Sequence, residues 1–447
     1  MDVLYTIVGI GLVLGVMVLI HEWGHFIVAR LCGVRVDVFS IGFGPRLFGW
    51  KKGPTDYRVS ALPLGGYVRM AGQDLSEVDS GDKPPTGAPD ELMSKPRWQR
   101  ALISFAGPAV NLVFPIFLLT GLFSIVGVPY PAYLDAPVHV TGLPANAPEP
   151  GPLPLKAGDT VVSINGVPTP TWEKALLALK ATPNGTVKLE VDDSGGRRTV
   201  EVPAKEVADP SKILGYAPIR PIIDQVAPGT PAERAGLREG DEITAVNEKK
   251  VEYWEQFREA TQGSNGQPMT LDIIRKGQPV HLTVTPKKDA AESGQNVYQI
   301  GVLPRDESAY KHVSFSESAR FSVTGTVDTI TRTVDVVGKL FSGRVSIKQL
   351  QGPVGISHMA GQAVRRGPLD VISLMVLISI NLGILNLLPI PILDGGNILL
   401  LAIEGIMRRD LSLSFKERFV QVGLVFLLVI FAIVMYNDIL RRLSSHS

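Results

Sequence analysis

The chain is short of several things, and each shortage narrows the field. It has one cysteine, Cys32. No intrachain disulfide framework can form, and no Cys-x-x-Cys pair offers a thiolate metal or redox site. Any metal must therefore be held by histidine and carboxylate. Charge is also sparse: 19% of the 447 residues are Asp, Glu, Lys or Arg, against 45% hydrophobic, and the formal net charge is +1. With no polybasic tail to meet phosphates, nucleic acid is excluded as the expected partner. The N-terminus lacks the basic stretch and small-residue cleavage site of a secretory signal, so its first apolar run is expected to be a retained helix.

Long apolar runs are what the chain does have. Segments 3–29, 101–127, 371–393 and 418–437 each reach the length of about 20 residues that crosses a bilayer. Four crossings put both termini on one side. The polar stretch after the first run is rich in Arg and Lys, from Arg30 to Arg100, and Arg408, Arg409, Lys416 and Arg418 lie between the third and fourth. Positive charge collects on the cytoplasmic side, so both loops are expected there and the long insert, 128–370, outside. Arg441 and Arg442 run against this assignment; the acidic start Met1-Asp2 supports it.

Inside the first run stands His21-Glu22-Trp23-Gly24-His25. Residues four apart share a helix face, so the two imidazoles can bind one metal ion while Glu22 reaches a water beside it. An ionisable group at the centre of a membrane helix costs about 2.5–3.5 kcal/mol, so three close together point to function. A catalytic zinc ion takes three protein ligands as a rule, and the third is expected at Asp394. That residue follows Asn386-Leu387-Leu388-Pro389-Ile390-Pro391-Ile392-Leu393 at the end of the third run. The two prolines break the helix, and irregular backbone at membrane depth is tolerated only where it is buried in protein or lines a cavity. Runs one and three point the same way, which brings both motifs to similar depth.

The insert nearly repeats itself. Leu155-Lys156-Ala157-Gly158-Asp159 followed by Thr160 to Gly166 recurs as Leu237-Arg238-Glu239-Gly240-Asp241 followed by Glu242 to Glu248. A turn, a strand and a tight turn repeated at domain spacing mark a tandem duplication. Both copies resemble PDZ domains, the second through Pro231 to Leu237 as well; the first is departed at its proline-rich front, Leu143 to Pro154. PDZ modules bind extended peptides at a sheet edge, and a role as spacer or cap is equally open here. Further on, 315–341 has apolar residues at helical spacing, among them Phe321, Val327, Ile330 and Val334, and reads as an amphipathic helix packed on the modules or the membrane.

Taken together, His21-Glu22-x-Gly24-His25, Gly42-Phe43-Gly44, Pro63-Leu64-Gly65-Gly66-Tyr67-Val68, the paired modules and Asn386 to Gly396 resemble the site-2 protease family of intramembrane zinc metalloproteases. The resemblance implies a polytopic α-helical membrane protein with four transmembrane helices, a membrane-associated β-hairpin around Tyr57 to Met70 and two inserted PDZ-like β-rich domains. The expected divisions are 1–127, 128–215, 216–307, 308–370 and 371–447. It implies Zn2+ on His21, His25 and Asp394, Glu22 as general base and substrate contact at Asn386. The implied substrate is the membrane span of a pre-cut single-pass protein of the anti-sigma-factor type, or a signal-peptide remnant. Cleavage would release a cytoplasmic regulator in an envelope stress response. The implied location is the bacterial inner membrane, with the modules in the periplasm and the site toward the cytoplasm. On the residues alone three rivals stay open: an anchored peptidase of soluble proteins, a PDZ receptor with structural zinc, and an ion-coupled transporter.

Overall fold

The computed structural model describes residues 2–73, 86–140, 155–156, 158–182, 186–193, 195–203, 210–227, 229–290, 296–305, 307–342 and 352–444. The proline-rich stretch Leu143 to Pro154 and Gln351 fall outside them. The chain divides into two compact units, 1–128 with 312–440, and 129–311 with 441–447.

The first unit is built on helices. Its elements in chain order are α1 (Leu4–Leu31), β1 (Val36–Lys52), β2 (Thr55–Met70), α2 (Arg97–Ile125), α3 (Phe315–Phe341), α4 (Pro353–Arg366), α5 (Pro368–Asn386), α6 (Asp394–Met407) and α7 (Leu413–Ser444). Among the described residues α1, α2, α5 and the 414–439 part of α7 are long and apolar enough to cross a membrane. α2 is the hub and packs against α1, α3, α5 and α6. Glycine sets its distance from α1: a methyl on Gly24 would stand 2.6 Å from the Ala106 carbonyl oxygen, so the two backbones touch.

The third apolar run ends earlier than its composition predicts. α5 stops at Asn386, and 387–393 is irregular, with Ile392 at φ +79°. Asp394 does not close that helix; it opens α6. The prolines cause the break, and Gly395 and Gly396 allow the return, since a Cβ on either would strike the carbonyls of Leu387, Leu388 or Ile390.

β1 and β2 are more than a hairpin. Trp50 pairs with Tyr57 and Gly49 with Arg58; Phe39 and Ser40 then pair with those same two residues from the other side. Phe39 also pairs with Val68, and Ser40 with Tyr67. The two long strands thus fold into a four-segment sheet in the order 46–52, 55–60, 38–41, 66–70. The halves of 57–70 do not pair with each other, because 38–41 lies between them.

α3 turns Ile330 to the core of its unit but not the other apolar residues named above. It lies against α2 and α5, and the face it buries is Ser318, Ser322 and Thr326. Phe321, Val327 and Val334 point outward. Small residues on the buried face let the helices approach closely.

The second unit holds two modules built alike. In each, a meander of strands is closed by one helix, Trp172–Lys180 in the first and Trp254–Gly263 in the second, over separate cores around Ile164 and Leu189, and around Ile243 and Leu271. Equivalent residues make equivalent bonds: the Asn165 and Asn247 side chains accept from the Lys188 and Thr270 amides, and Asp159 and Asp241 accept from the Lys156 and Arg238 amides. Each buried aspartate also meets an arginine, Arg198 or Arg275, which offsets the cost of burying its charge.

Candidate metal centre

Helical spacing places His21 and His25 on one face of α1, and both are buried there. Their Nε2 atoms stand 3.2 Å apart. The Asp394 carboxylate completes a triangle, with Oδ2 3.2 Å from His21 Nε2 and Oδ1 3.4 Å from His25 Nε2. Donors about 2.0–2.1 Å from one tetrahedral zinc ion must lie about 3.3–3.4 Å from each other. Both the donor set and its spacing fit such an ion. Among the described residues this is the one group of three or more His, Cys, Asp or Glu side chains close enough to share a metal.

Each imidazole is held from behind. His25 Nδ1 donates to the Ile103 carbonyl at 2.8 Å, and His21 Nδ1 lies 3.2 Å from the Asn111 amide; both partners belong to α2. A ligating histidine is oriented and kept in the right tautomer by the contact its second nitrogen makes. Gly107, also on α2, lets the rings lie against that helix. A Cβ there would run into His25 Nε2 and come within 2.8 Å of His21 Cε1.

Glu22 sits beside the triangle and accepts the Val68 amide at 3.0 Å. That amide is bonded to a side chain instead of a neighbouring strand, and among the described residues no strand pairs beyond the 66–70 edge. Asn386, the last residue of α5, has its amide 3.3 Å from His21 Nε2. All five residues that the sequence singles out therefore surround one cavity of about 560 Å3, which Tyr67 and Val68 also line.

Sequence reasoning misses part of the surroundings. Asn111 and Gly107 lie in an apolar helix with no motif to mark them. A charged joint closes another wall of the cavity: Glu404 of α6 is buried, accepts the Leu411 amide at 3.1 Å and meets Lys416 of α7 at 3.0 Å. Arg97 and Arg100 of α2 stand within 4.0 Å of its second oxygen.

Compared with known families, residues 9–430 match Peptidase family M50. The chain belongs to peptidase family M50. It is 32% identical to protease RseP of Yersinia pestis over 99% of this chain and 100% of that one. With the regulator of sigma-E protease RseP of Escherichia coli strain K12 it shares 32% identity over 96% and 97% of the two chains. With a putative zinc metalloprotease of Vibrio cholerae the figures are 31%, 98% and 99%. For an M50 peptidase the position of the cluster matters: two ligands lie within the first membrane-length helix, and the third, Asp394, is the first residue of α6, just after the irregular segment 387–393.

Proposed function

We propose that the chain is a zinc-dependent intramembrane endopeptidase of the bacterial inner membrane. Zinc is held by His21, His25 and Asp394. The observation that carries the reading is the 3.2–3.4 Å triangle of donors with Glu22 alongside, set in an apolar helix. Bound there, zinc would supply Lewis-acid polarisation of the scissile carbonyl and activation of the attacking water. Glu22 takes the proton of that water and later delivers it to the leaving amine. The Val68 amide keeps the Glu22 carboxylate turned toward the triangle, and the Asn386 side chain donates to a backbone carbonyl of the substrate.

A helical substrate cannot be cut as it stands, since its amides are engaged within the helix. It must unwind, and the 66–70 edge, whose Val68 and Met70 amides already serve Glu22 and Gln73, would pair with the extended segment through its carbonyls. Exposed Phe43, Leu47, Phe48 and Trp50 on the same sheet support a sheet dipped into the apolar layer. The substrate we infer is the membrane span of a pre-cut single-pass protein of the anti-sigma-factor type, or a signal-peptide remnant, whose cleavage releases a cytoplasmic regulator in an envelope stress response. On this reading the two modules of the second unit are periplasmic PDZ-like domains. They act as a size filter against uncut proteins or take a peptide at a sheet edge.

The deciding experiment pairs metal analysis with a cleavage assay on Glu22→Gln. Retained zinc with activity lost is expected. Full activity in this variant would overturn the role of Glu22, and absence of zinc from the wild type would overturn the metal centre.

A further inference from the structure

Asn111 is fully buried, and its side chain has one polar contact, to His21 Nδ1 at 3.2 Å; its Oδ1 atom as placed has no partner. Nitrogen and oxygen of a side-chain amide are distinguished by their hydrogen bonds, so His21 alone decides which way this amide faces. Two arrangements exist. If Asn111 donates, His21 Nδ1 must accept, and the ring proton sits on Nε2. That proton would lie among His25 Nε2 and Asp394 Oδ2, each 3.2 Å away, and occupy the lone pair that a metal ion needs. If the amide is turned, Asn111 Oδ1 accepts from Nδ1–H and Nε2 is left bare.

His25 shows which arrangement suits the site. Its Nδ1 faces the Ile103 carbonyl, which can only accept, so the neutral ring carries its proton on Nδ1 and leaves Nε2 free for a metal ion. We propose that Asn111 is the positioning residue for His21: its side-chain carbonyl accepts the Nδ1 proton and keeps Nε2 unprotonated and aimed at His25 and Asp394. The proposal rests on the metal-centre reading above. The residue is itself fixed, because its backbone carbonyl accepts from Ser379 Oγ of α5 at 2.8 Å, which joins two helices at this point.

The test compares zinc affinity by chelator competition in full-length wild type, Asn111→Leu and Asn111→Asp in detergent, with thermal unfolding of the zinc-free proteins alongside. Losing such an outer contact lowers metal affinity about 10–100-fold. Asn111→Leu should show that loss with its zinc-free unfolding unchanged. Asn111→Asp, which keeps an acceptor oxygen, should stay within a few-fold of wild type. Wild-type affinity in a folded Asn111→Leu would overturn the proposal, and so would an equal loss in Asn111→Asp. Should the leucine variant not fold, Asn111→Ala, which also removes the acceptor, takes its place: the same loss of zinc affinity is expected, and wild-type affinity would overturn the proposal. A wild type that binds no zinc would instead sink the metal-centre reading, which keeps the two failures distinct.

Discussion

At the scale of single residues, the site depends on one position where no side chain fits. Gly107→Ala adds a methyl that meets both imidazoles. Alanine is the better helix former by about 0.5–1 kcal/mol, so α2 itself should be no less stable. We expect zinc affinity and peptidase activity to fall at least tenfold while zinc-free thermal unfolding is unchanged or raised; chelator competition and calorimetry on the same sample check this. An alanine variant with native affinity would show that the rings can retreat. His21, Glu22, His25 and Asp394 were legible in the sequence because ionisable groups at helical spacing stand out against apolar neighbours. Gly107 and Asn111 were not, since a small or amide residue in an apolar helix has no pattern of its own. Asn111 meets His21 across 90 residues of chain.

At the scale of elements, the sheet edge beside Glu22 makes a separable contribution. Proline is tolerated at a strand edge where its missing N–H faces away from the ladder. Val68→Pro should therefore leave sheet and zinc in place and remove only the amide that Glu22 holds. A hydrogen bond to a charged group contributes about 1.5–3 kcal/mol, so kcat/KM should fall by roughly 10- to 150-fold with zinc content unchanged. Val68→Ala, which keeps the amide, should behave as wild type; an equal loss there would shift the cause to packing.

The sequence yielded strands at 57–70 and a turn between them, but not the insertion of 38–41. Alternating residues reveal a strand without naming its neighbour, and Phe39 and Ser40 each serve two. In α3 the apolar spacing marks a helix without saying which face is buried: Ser318, Ser322 and Thr326 turn inward against other helices, together with Ile330.

At the scale of the molecule, the helical unit and the unit 129–311 each have a core of their own. If the modules act as the proposed filter, deleting 128–307 should leave zinc binding intact and allow cleavage of a full-length single-pass substrate that has not first been shortened by another protease. The readout is the appearance of cleaved product from the uncut substrate in a strain lacking the first protease. Continued dependence on the first cut would rule out the filter.

The order in which the donors are synthesised has a consequence of its own. Two of them lie on α1 and the third opens α6, after nearly all the rest of the chain. At about 5–20 residues per second, a ribosome needs about 20–70 s to travel from His25 to Asp394. Through that interval the growing protein holds two of the three donors. Until Asp394 is made, His21 and His25 have no third donor, so the proposed zinc triangle cannot form on the nascent chain.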